Sequence, residues 1–282
     1  MKLLTRLEEA RALDPVSDKI QSAVQAAVKP RTLRDLLHGT WLGHPLHPVM
    51  VQVPVGAFMS AAVLDLIPGR RKSATALIAL GTATAGPAAV AGWLDWSQMT
   101  KDRRRVGLVH AAANLTAVGL YASSLIARLR GQSARGKALS YAGLSVAGVG
   151  AYLGGHLAYA QSAGTNQAAP EIVRLPEDWT VACSLASLPD RKTAVRKVAD
   201  VPVLLYRDGD RVSALIERCA HETGPLGDGE VVGTGRDACV VCPWHGSTFR
   251  LSDGGVVHGP AASNQPVVPC RVREGQVEIR QP

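Results

Sequence analysis

Two mixed pairs of cysteine and histidine lie in the last quarter of the chain, and all four side chains can bind transition metals. Cys219-Ala-His221 is followed, after 20 intervening residues, by Cys242-Pro-Trp-His245. Thiolates and neutral imidazoles are ligands for iron and zinc. Glycine and proline flank both pairs, which places them in loops where side chains from separate strands can meet. The sequence therefore predicts a metal centre with two thiolate and two imidazole ligands.

Two kinds of metal centre use this ligand set. A mononuclear zinc site takes two cysteines and two histidines, but zinc fingers usually place the cysteine pair before the histidine pair. A Rieske [2Fe–2S] cluster has two cysteines on one iron and two histidines on the other, whereas most iron–sulfur clusters use four cysteines. The mixed order of the two pairs favours the Rieske cluster over zinc.

The residues around the second pair resemble the Rieske family in its bacterial ferredoxin-type form. Residues 242–249 read Cys-Pro-Trp-His-Gly-Ser-Thr-Phe, and Gly259-Pro260-Ala261 is similar to the proline loop that covers the cluster. In that family the cysteines hold one iron and the histidines hold the other, and in the high-potential type a serine at the position of Ser247 donates a hydrogen bond to the cluster. The resemblance implies six cluster-binding residues, of which the cysteines and histidines are the iron ligands: Cys219, His221, Cys242, His245, Ser247 and Pro260.

Three positions depart from the high-potential Rieske proteins of respiratory complexes. Gly224 and Trp244 stand where those proteins have two cysteines that form a disulfide, and Phe249 stands where they have a tyrosine that donates to the cluster. A missing donor leaves more negative charge on the reduced cluster, which lowers its reduction potential. The resemblance therefore implies a potential in the lower part of the Rieske range, which spans roughly −150 to +300 mV.

Four apolar segments precede the cysteine–histidine pairs, at about 49–67, 73–94, 106–127 and 138–160. Each has roughly 20 residues, which is enough for a helix to cross a hydrocarbon layer of ~30 Å. Clusters of lysine and arginine separate the segments, and small residues within them favour close helix packing. The pattern predicts a four-helix transmembrane bundle, with the buried helices of a soluble all-α domain as the alternative.

A second resemblance covers this apolar half of the chain. His44-Pro-Leu-His47-Pro, just before the first segment, matches the His-Pro-x-His-Pro signature of an uncharacterised bacterial family of small four-helix membrane domains. Members of that family are often fused to Rieske or cytochrome c domains. The resemblance covers roughly 36–160 and brings no established activity with it.

Four histidines are expected near one side of the bundle: His44, His47, His110 and His156. Ionisable groups within a membrane are costly enough to suggest a function. A facing pair such as His110 and His156 could bind a b-type haem axially. The four could instead form a quinone or proton site, or they could be structural groups that bond to the backbone at helix ends. The sequence leaves these three alternatives open.

The sequence as a whole predicts an α + β protein of two domains, a four-helix transmembrane bundle followed by a small antiparallel β domain. Apolar runs on either side of Asp208-Gly-Asp and of Glu274-Gly275 predict two hairpins in the second domain. The predicted boundaries are 1–35 for an N-terminal amphipathic helical segment, 36–160 for the membrane domain, 161–170 for a linker and 171–282 for the Rieske domain.

Charge and the first residues of the chain bear on partners and location. The net charge of +8 is spread along the chain without interleaved aromatic residues, so membrane lipid, and not nucleic acid, is the expected partner. The first twenty residues contain acids and no long apolar core, so no cleavable signal peptide is expected. Rieske proteins usually acquire their cluster in the cytoplasm. We therefore expect a multi-pass protein of the cell membrane with its Rieske domain at the cytoplasmic face.

These expectations combine into a membrane-anchored Rieske protein that carries single electrons from a donor to an acceptor, either of which is an unidentified protein or a quinone. Only 37 residues follow His245, too few for the catalytic iron domain of a Rieske oxygenase. Electron transfer is thus favoured over a stand-alone enzyme, and an enzyme would be an oxidoreductase. Two alternatives stay open. One is a haem- or quinone-binding membrane oxidoreductase with the cluster as internal relay, and the other is a redox-sensing interaction module.

Overall fold

The contacts within the protein divide the chain into two compact units. A computed structural model describes residues 2–282, so Met1, where the predicted N-terminal segment begins, lies outside the described residues. The first unit contains the residues up to Lys29 together with Leu46–Ala163, and the second contains Pro30–Pro45 together with Gly164–Pro282. Residues 30–45 thus fold with the C-terminal part of the chain, although the predicted boundaries assigned them to the N-terminal segment and the membrane domain.

Helices make up nearly all of the first unit, as its alanine- and leucine-rich composition predicts. The helices of residues 2–282 are α1 (Lys2–Glu8), α2 (Asp14–Ala27), α3 (Arg31–His38), α4 (Leu46–Met50), α5 (Gln52–Leu66), α6 (Arg71–Trp96), α7 (Lys101–Leu129) and α8 (Ser133–Gly155). All except α3 belong to the first unit.

Three stretches of the described chain are long and apolar enough to cross a membrane. They are Leu46–Leu66 with 21 residues, Arg71–Trp96 with 26 and Lys101–Leu129 with 29. Helix α8 occupies the fourth predicted segment and has 23 residues, but it is not among these three stretches. The helical fold of this half is confirmed, whereas a bundle of four membrane-crossing helices stays a prediction.

The long helices of the first unit pack through an aromatic stack and a buried ion pair. Phe58 of α5 lies on Tyr121 of α7, with ring centroids 3.6 Å apart and planes at 4°. A Cβ atom on Gly81 of α6 would lie 2.5 Å from the Phe58 ring, so this contact requires glycine. Asp65 of α5 accepts from Arg128 of α7 at 2.9 Å, and both side chains are buried. The ion pair has the structural role expected of a charge that is buried with its partner.

The N-terminal helices fold onto the start of α7. Arg104 donates to Asp18 at 2.7 Å, and the Arg105 guanidinium makes two bonds of 2.7 Å to the Asp14 carboxylate. The hydrogen bond from Arg105 is the main cause that lowers the pKa of Asp14. The helical character predicted for this segment is therefore present, and its acidic side chains pair with arginines of the same unit.

The second unit is built from ten short strands in three antiparallel sheets, ordered β1-β10-β9, β2-β3-β4 and β5-β6-β7-β8. The strands are β1 (Thr180–Ser184), β2 (Thr193–Val198), β3 (Val201–Asp208), β4 (Arg211–Ile216), β5 (Glu230–Val232), β6 (Cys239–Val241), β7 (Thr248–Arg250), β8 (Val256–His258), β9 (Cys270–Arg273) and β10 (Gln276–Ile279). The predicted antiparallel β domain is confirmed.

Both predicted hairpins are present. Strands β3 and β4 pair from Val203↔Ile216 to Asp208↔Arg211, and β9 pairs with β10 across Glu274 and Gly275. Those two turn residues have φ values of 51° and 74°. Two successive positive φ values are what a tight two-residue hairpin requires, since such a turn matches the twist of the strands.

Candidate metal centre

The first cysteine–histidine pair lies in the loop between β4 and β5, and this loop is closed by a tight turn. The backbone N–H of Cys219 donates to the carbonyl of Gly224 at 2.9 Å, and the N–H of Thr223 donates back to the carbonyl of Cys219 at 2.9 Å. Thr223 has a φ of 60°, which is rare for a β-branched residue. The turn therefore holds the backbone against local steric preference.

The second pair lies in the loop between β6 and β7 and repeats the same turn. The N–H of Cys242 donates to the carbonyl of Ser247 at 2.8 Å, and the N–H of Gly246 donates to the carbonyl of Cys242 at 3.0 Å. Gly246 has a φ of 76° at the position equivalent to Thr223. Each loop thus bonds from its cysteine to the residue five positions on, so the two cysteines are presented in the same way.

The two cysteine sulfurs lie side by side and are surrounded by donors. The hydrogen bond between the two thiols raises the pKa of Cys219 and lowers the pKa of Cys242 to about 6. In each loop the backbone N–H groups two and three residues after the cysteine also point at its Sγ and favour the thiolate. Both sulfurs are buried. Converging N–H groups of this kind stabilise the charge on metal-bound sulfur.

The two histidines meet on the other side of the site. The ring centroids of His221 and His245 are 5.0 Å apart, with ring planes at 90°. Nδ1 of His245 is buried and has no hydrogen-bond partner. Burial lowers the pKa of His245, which favours the neutral ring that binds metals. An unpartnered ring nitrogen beside a second imidazole and two donor-supported sulfurs fits an iron–sulfur cluster with two cysteine and two histidine ligands.

Gly224 of the first ligand loop lies directly against the second ligand loop. A Cβ atom at this position would lie 2.8 Å from Sγ of Cys242 and 3.1 Å from the Trp244 ring. Gly224 and Trp244 therefore face each other, at the two positions where the high-potential Rieske proteins have their disulfide. Glycine is needed here because the second ligand loop passes directly over its Cα atom.

Replacing Gly224 by alanine is expected to displace Cys242 or the Trp244 ring, because the added methyl group has no space. Overpacking of this kind costs about 1–3 kcal/mol of folding free energy. We expect cluster occupancy to fall several-fold, as measured by iron and acid-labile sulfide per chain. Full occupancy in the Gly224→Ala protein would contradict the tight contact between the two loops.

Gln265 fixes the first ligand loop through three hydrogen bonds. The sequence alone did not indicate this role. Its side chain is buried, and its Nε2 donates to the carbonyls of Ile216 and Arg218 at 2.7 Å each. Its Oε1 accepts from the N–H of Ala220 at 2.8 Å. All three partners flank Cys219, so one amide fixes the path of the chain into the ligand pair.

Ser247 and the proline loop are joined directly. Oγ of Ser247 is fully buried and accepts from the N–H of Ala261 at 3.0 Å. Because that bond uses a lone pair, the hydroxyl proton is left to point elsewhere, as donation to the cluster requires. Pro260, the residue before Ala261, is buried. The predicted roles of Ser247 and Pro260 are compatible with these contacts and stay predictions.

Helix α3 holds the other side of the proline loop, which the sequence did not suggest. The Asp35 carboxylate accepts from Nδ1 of His258 at 2.8 Å and from the N–H of Gly259 at 2.9 Å. Arg31 donates to Oγ1 of Thr248 at 3.0 Å. The ring of His38 lies 3.2 Å from where a Cβ atom on Gly259 would be. Residues 31–38 therefore clamp the loop that covers the site.

Removing the carboxylate in Asp35→Ala is expected to cost about 1.5–3 kcal/mol per lost bond to the charged group. We expect the loosened proline loop to let the cluster decay faster, as measured by the loss of its visible absorption at raised temperature. Asp190→Ala is the matched control, because Asp190 accepts from the Gly209 N–H at 2.8 Å in a turn of the same unit. Equal cluster lifetimes in both variants would contradict the stabilisation of the proline loop by Asp35.

The four histidines predicted near one side of the bundle have different surroundings. His44 is exposed and belongs to the second unit, and His156 bonds to Glu8 at 2.7 Å. His47 and His110 lie together, with ring centroids 6.4 Å apart. The predicted example pair of His110 and His156 is thus replaced in the structure by His47 and His110.

Comparison with known families assigns both halves of the chain. Residues 178–270 match the family of the Rieske [2Fe-2S] domain, and residues 43–167 match a family described as "Predicted membrane protein (DUF2231)". The predicted order, an N-terminal membrane-protein domain followed by a C-terminal Rieske domain, is confirmed. The Rieske domain identifies the cofactor of the site as a [2Fe–2S] cluster, which is an electron-transfer centre.

Several ferredoxins and oxygenase components are similar to the Rieske part of the chain. The anthranilate 1,2-dioxygenase ferredoxin subunit of Burkholderia cepacia is 28% identical over 102 residues, which are 36% of this chain and 91% of that protein. Ferredoxin CarAc of Metapseudomonas resinovorans is also 28% identical over 102 residues, 36% of this chain and 92% of the relative. The oxygenase component of dicamba O-demethylase from Stenotrophomonas maltophilia is 36% identical over 34% of this chain, but this match covers only 28% of the relative.

Proposed function

We propose that the chain is a multi-pass membrane protein that transfers single electrons through its Rieske domain at the cytoplasmic face. The matched turns around Cys219 and Cys242 are the observation that carries the electron-transfer part of this proposal. When bound, the [2Fe–2S] cluster supplies one-electron chemistry, since one iron alternates between Fe(III) and Fe(II). The proposed ligands are Cys219 and Cys242 for one iron and His221 and His245 for the other.

The protein's own residues prepare the site for that exchange. The loop N–H groups hold the two sulfurs, and Gln265 and Asp35 fix the first ligand loop and the proline loop, so little reorganisation accompanies a change of charge. Both histidines are only partly buried, and the adjacent Trp244 is 55% exposed. We propose that electrons enter and leave over this edge, where a partner protein can approach.

Attachment to the membrane is supported by the three apolar helical stretches and by one face of α3. Asp35 and His38 of α3 pack against the proline loop, whereas Leu33, Leu36 and the nearby Trp41 are 42%, 51% and 64% exposed. Trp41 precedes the first apolar stretch, Leu46–Leu66, by five residues. Exposed leucine and tryptophan that shortly precede, in the chain, a segment long enough to cross a membrane suit the lipid interface.

The orientation can be tested with a thiol label on the second unit. The Glu274 side chain is 86% exposed at the tip of the β9–β10 hairpin. A membrane-impermeant maleimide should label Glu274→Cys in inverted vesicles and leave it unlabelled in right-side-out vesicles, with the unsubstituted protein as background control. The opposite pattern would place the Rieske domain outside the cytoplasm, and recovery of the protein without membranes would contradict anchoring.

The electron partners are proposed by analogy with the ferredoxin-type relatives, as one donor and one acceptor protein. The absence of a hydroxyl at Phe249 and of a disulfide at Gly224 and Trp244 supports a low potential. We expect a midpoint in the lower part of the range of roughly −150 to +300 mV. A redox titration followed by EPR measures it, and a midpoint near the upper limit would contradict the assignment to the ferredoxin type.

A further inference from the structure

His47 and His110 form a pair of imidazoles inside the helical unit that the Rieske site does not use. His47 belongs to α4 and His110 to α7, and the two rings are 6.4 Å apart between centroids with planes at 85°. Both side chains are partly buried and lie in stretches apolar enough to cross a membrane. Ionisable side chains within membrane-crossing segments are rare and suggest a functional site.

Each ring is oriented by one backbone carbonyl. Nδ1 of His47 lies 2.8 Å from the carbonyl of Ala88 in α6, and Nδ1 of His110 lies 2.8 Å from the carbonyl of Gly150 in α8. Because a carbonyl only accepts, Nδ1 carries the proton in both rings, and Nε2 of the neutral ring keeps its lone pair. Histidines that ligate metals are usually held in this way, with the second nitrogen donating to a carbonyl.

Glycines make room for both rings. A Cβ atom on Gly92 would lie 2.7 Å from Nδ1 of His47, and one on Gly154 would lie 3.0 Å from the ring of His110. The amide nitrogen of Asn114 donates to the carbonyl of His110 at 3.0 Å and lies 3.2 Å from Nε2 of the same ring. The same amide nitrogen lies 3.4 Å from Nδ1, so the Asn114 side chain packs against the His110 ring.

The separation of the rings indicates the class of ligand. Two metal–nitrogen bonds of ~2.0 Å span ~4 Å, and the reach from each nitrogen to its ring centre makes up the remainder of the 6.4 Å between the centroids. A bare ion takes about four protein ligands, and among residues 2–282 no third His, Cys, Asp or Glu side chain joins His47 and His110 in a group that could hold one ion. An iron porphyrin needs only two protein ligands, because the macrocycle supplies the other four.

We propose that His47 and His110 are the two axial ligands of a haem held within the helical unit. Haem binding stands on these contacts alone, whereas the source of its electron rests on the proposed function. In that step the reduced cluster returns from Fe(II)/Fe(III) to Fe(III)/Fe(III), and the haem iron goes from Fe(III) to Fe(II). One electron moves, and no bond or proton is exchanged.

The test is the haem content of the full-length protein, purified in detergent from cells supplied with a haem precursor. We expect about one haem per chain by the pyridine haemochrome assay, with a b-type reduced-minus-oxidised spectrum. His47→Ala and His110→Ala should each lower the haem content at least ten-fold. His44→Ala and His156→Ala are the matched controls and should keep it, since neither ring joins the pair.

The variants also report on folding and on the cluster separately. His110→Met keeps a ligand and should retain haem with an altered spectrum and a raised potential. An intact Rieske EPR signal in His47→Ala and His110→Ala shows that the second unit has folded, and haem retained by His110→Met shows that the helical unit folds without the second imidazole. A haem-free wild-type protein with a normal cluster, bound quinone in place of haem, or haem kept in both alanine variants overturns this proposal alone. Haem without a Rieske signal overturns the proposed function alone.

Discussion

Replacing Cys242 by serine is expected to remove the [2Fe–2S] cluster, with at least a ten-fold loss of iron and sulfide per chain. The thiol of Cys242 is buried against that of Cys219 and receives two backbone N–H groups of its own loop. A serine oxygen is shorter and is a poorer ligand for iron in such a cluster. The measurement is iron, sulfide and visible absorption of the purified protein.

Cys239→Ser is the matched control for that experiment. Cys239 is also buried, and it lies three residues earlier in β6, where its thiol donates to the carbonyl of Asp237 at 3.3 Å. We expect this variant to keep its cluster. Loss of the cluster in both variants would mean that any cysteine substitution unfolds the domain, and retention in Cys242→Ser would remove Cys242 from the ligands.

Replacing Gln265 by leucine is expected to cost roughly 4 kcal/mol of folding free energy and to weaken cluster binding. The substitution removes three hydrogen bonds at once and leaves the carbonyls of Ile216 and Arg218 and the N–H of Ala220 without their partner. Each buried group left unsatisfied costs about 1–3 kcal/mol. Thermal unfolding and cluster content measure the two effects.

Gln281→Leu is the matched control for Gln265→Leu. It shows whether the cluster is lost because the first ligand loop is no longer held in position or merely because hydrogen bonds are removed. Gln281 also donates from its amide to two carbonyls, those of Val173 and Leu175, at 3.0 and 2.9 Å. It is less buried and lies far along the chain from Cys219, so we expect a loss of about 1 kcal/mol and an unchanged cluster. Equal cluster loss in both variants would contradict the positioning role of Gln265.

The ligand set could be predicted from the sequence because its signal is local. Each cysteine stands two or three residues from its histidine, and the surrounding glycines and prolines mark loops. The hairpins were predictable for the same reason, since Asp208-Gly-Asp and Glu274-Gly275 set tight turns between apolar runs. In these places the type and spacing of neighbouring residues decide the local conformation.

The side chains that hold the ligand loops in position could not be predicted from the sequence, because they lie far along the chain from those loops. Gln265 bonds to Ala220 across 45 residues, and Asp35 bonds to Gly259 across 224. A glutamine or aspartate that caps a distant loop has no sequence pattern of its own. The same limit applies to Gly224, whose need for glycine comes from the passage of the second loop over the first.

Pairing among the membrane histidines depended on the rotation of each helix, which the sequence did not determine. Depth along the helices suggested His110 with His156, but His156 faces Glu8 and His110 faces His47. Hydropathy likewise marked α8 as a fourth crossing segment, although it is not among the three stretches that are long and apolar enough to cross a membrane.

EPR spectroscopy of the reduced protein tests the central claim most directly. Two imidazole ligands on one iron change the electronic environment of a [2Fe–2S] cluster from that of an all-cysteine centre. We expect a spectrum whose average g value lies below that of all-cysteine [2Fe–2S] proteins, and we expect it to vanish in Cys242→Ser. An all-cysteine type of spectrum, or a protein that contains zinc and no iron, would contradict the Rieske site formed by Cys219, His221, Cys242 and His245.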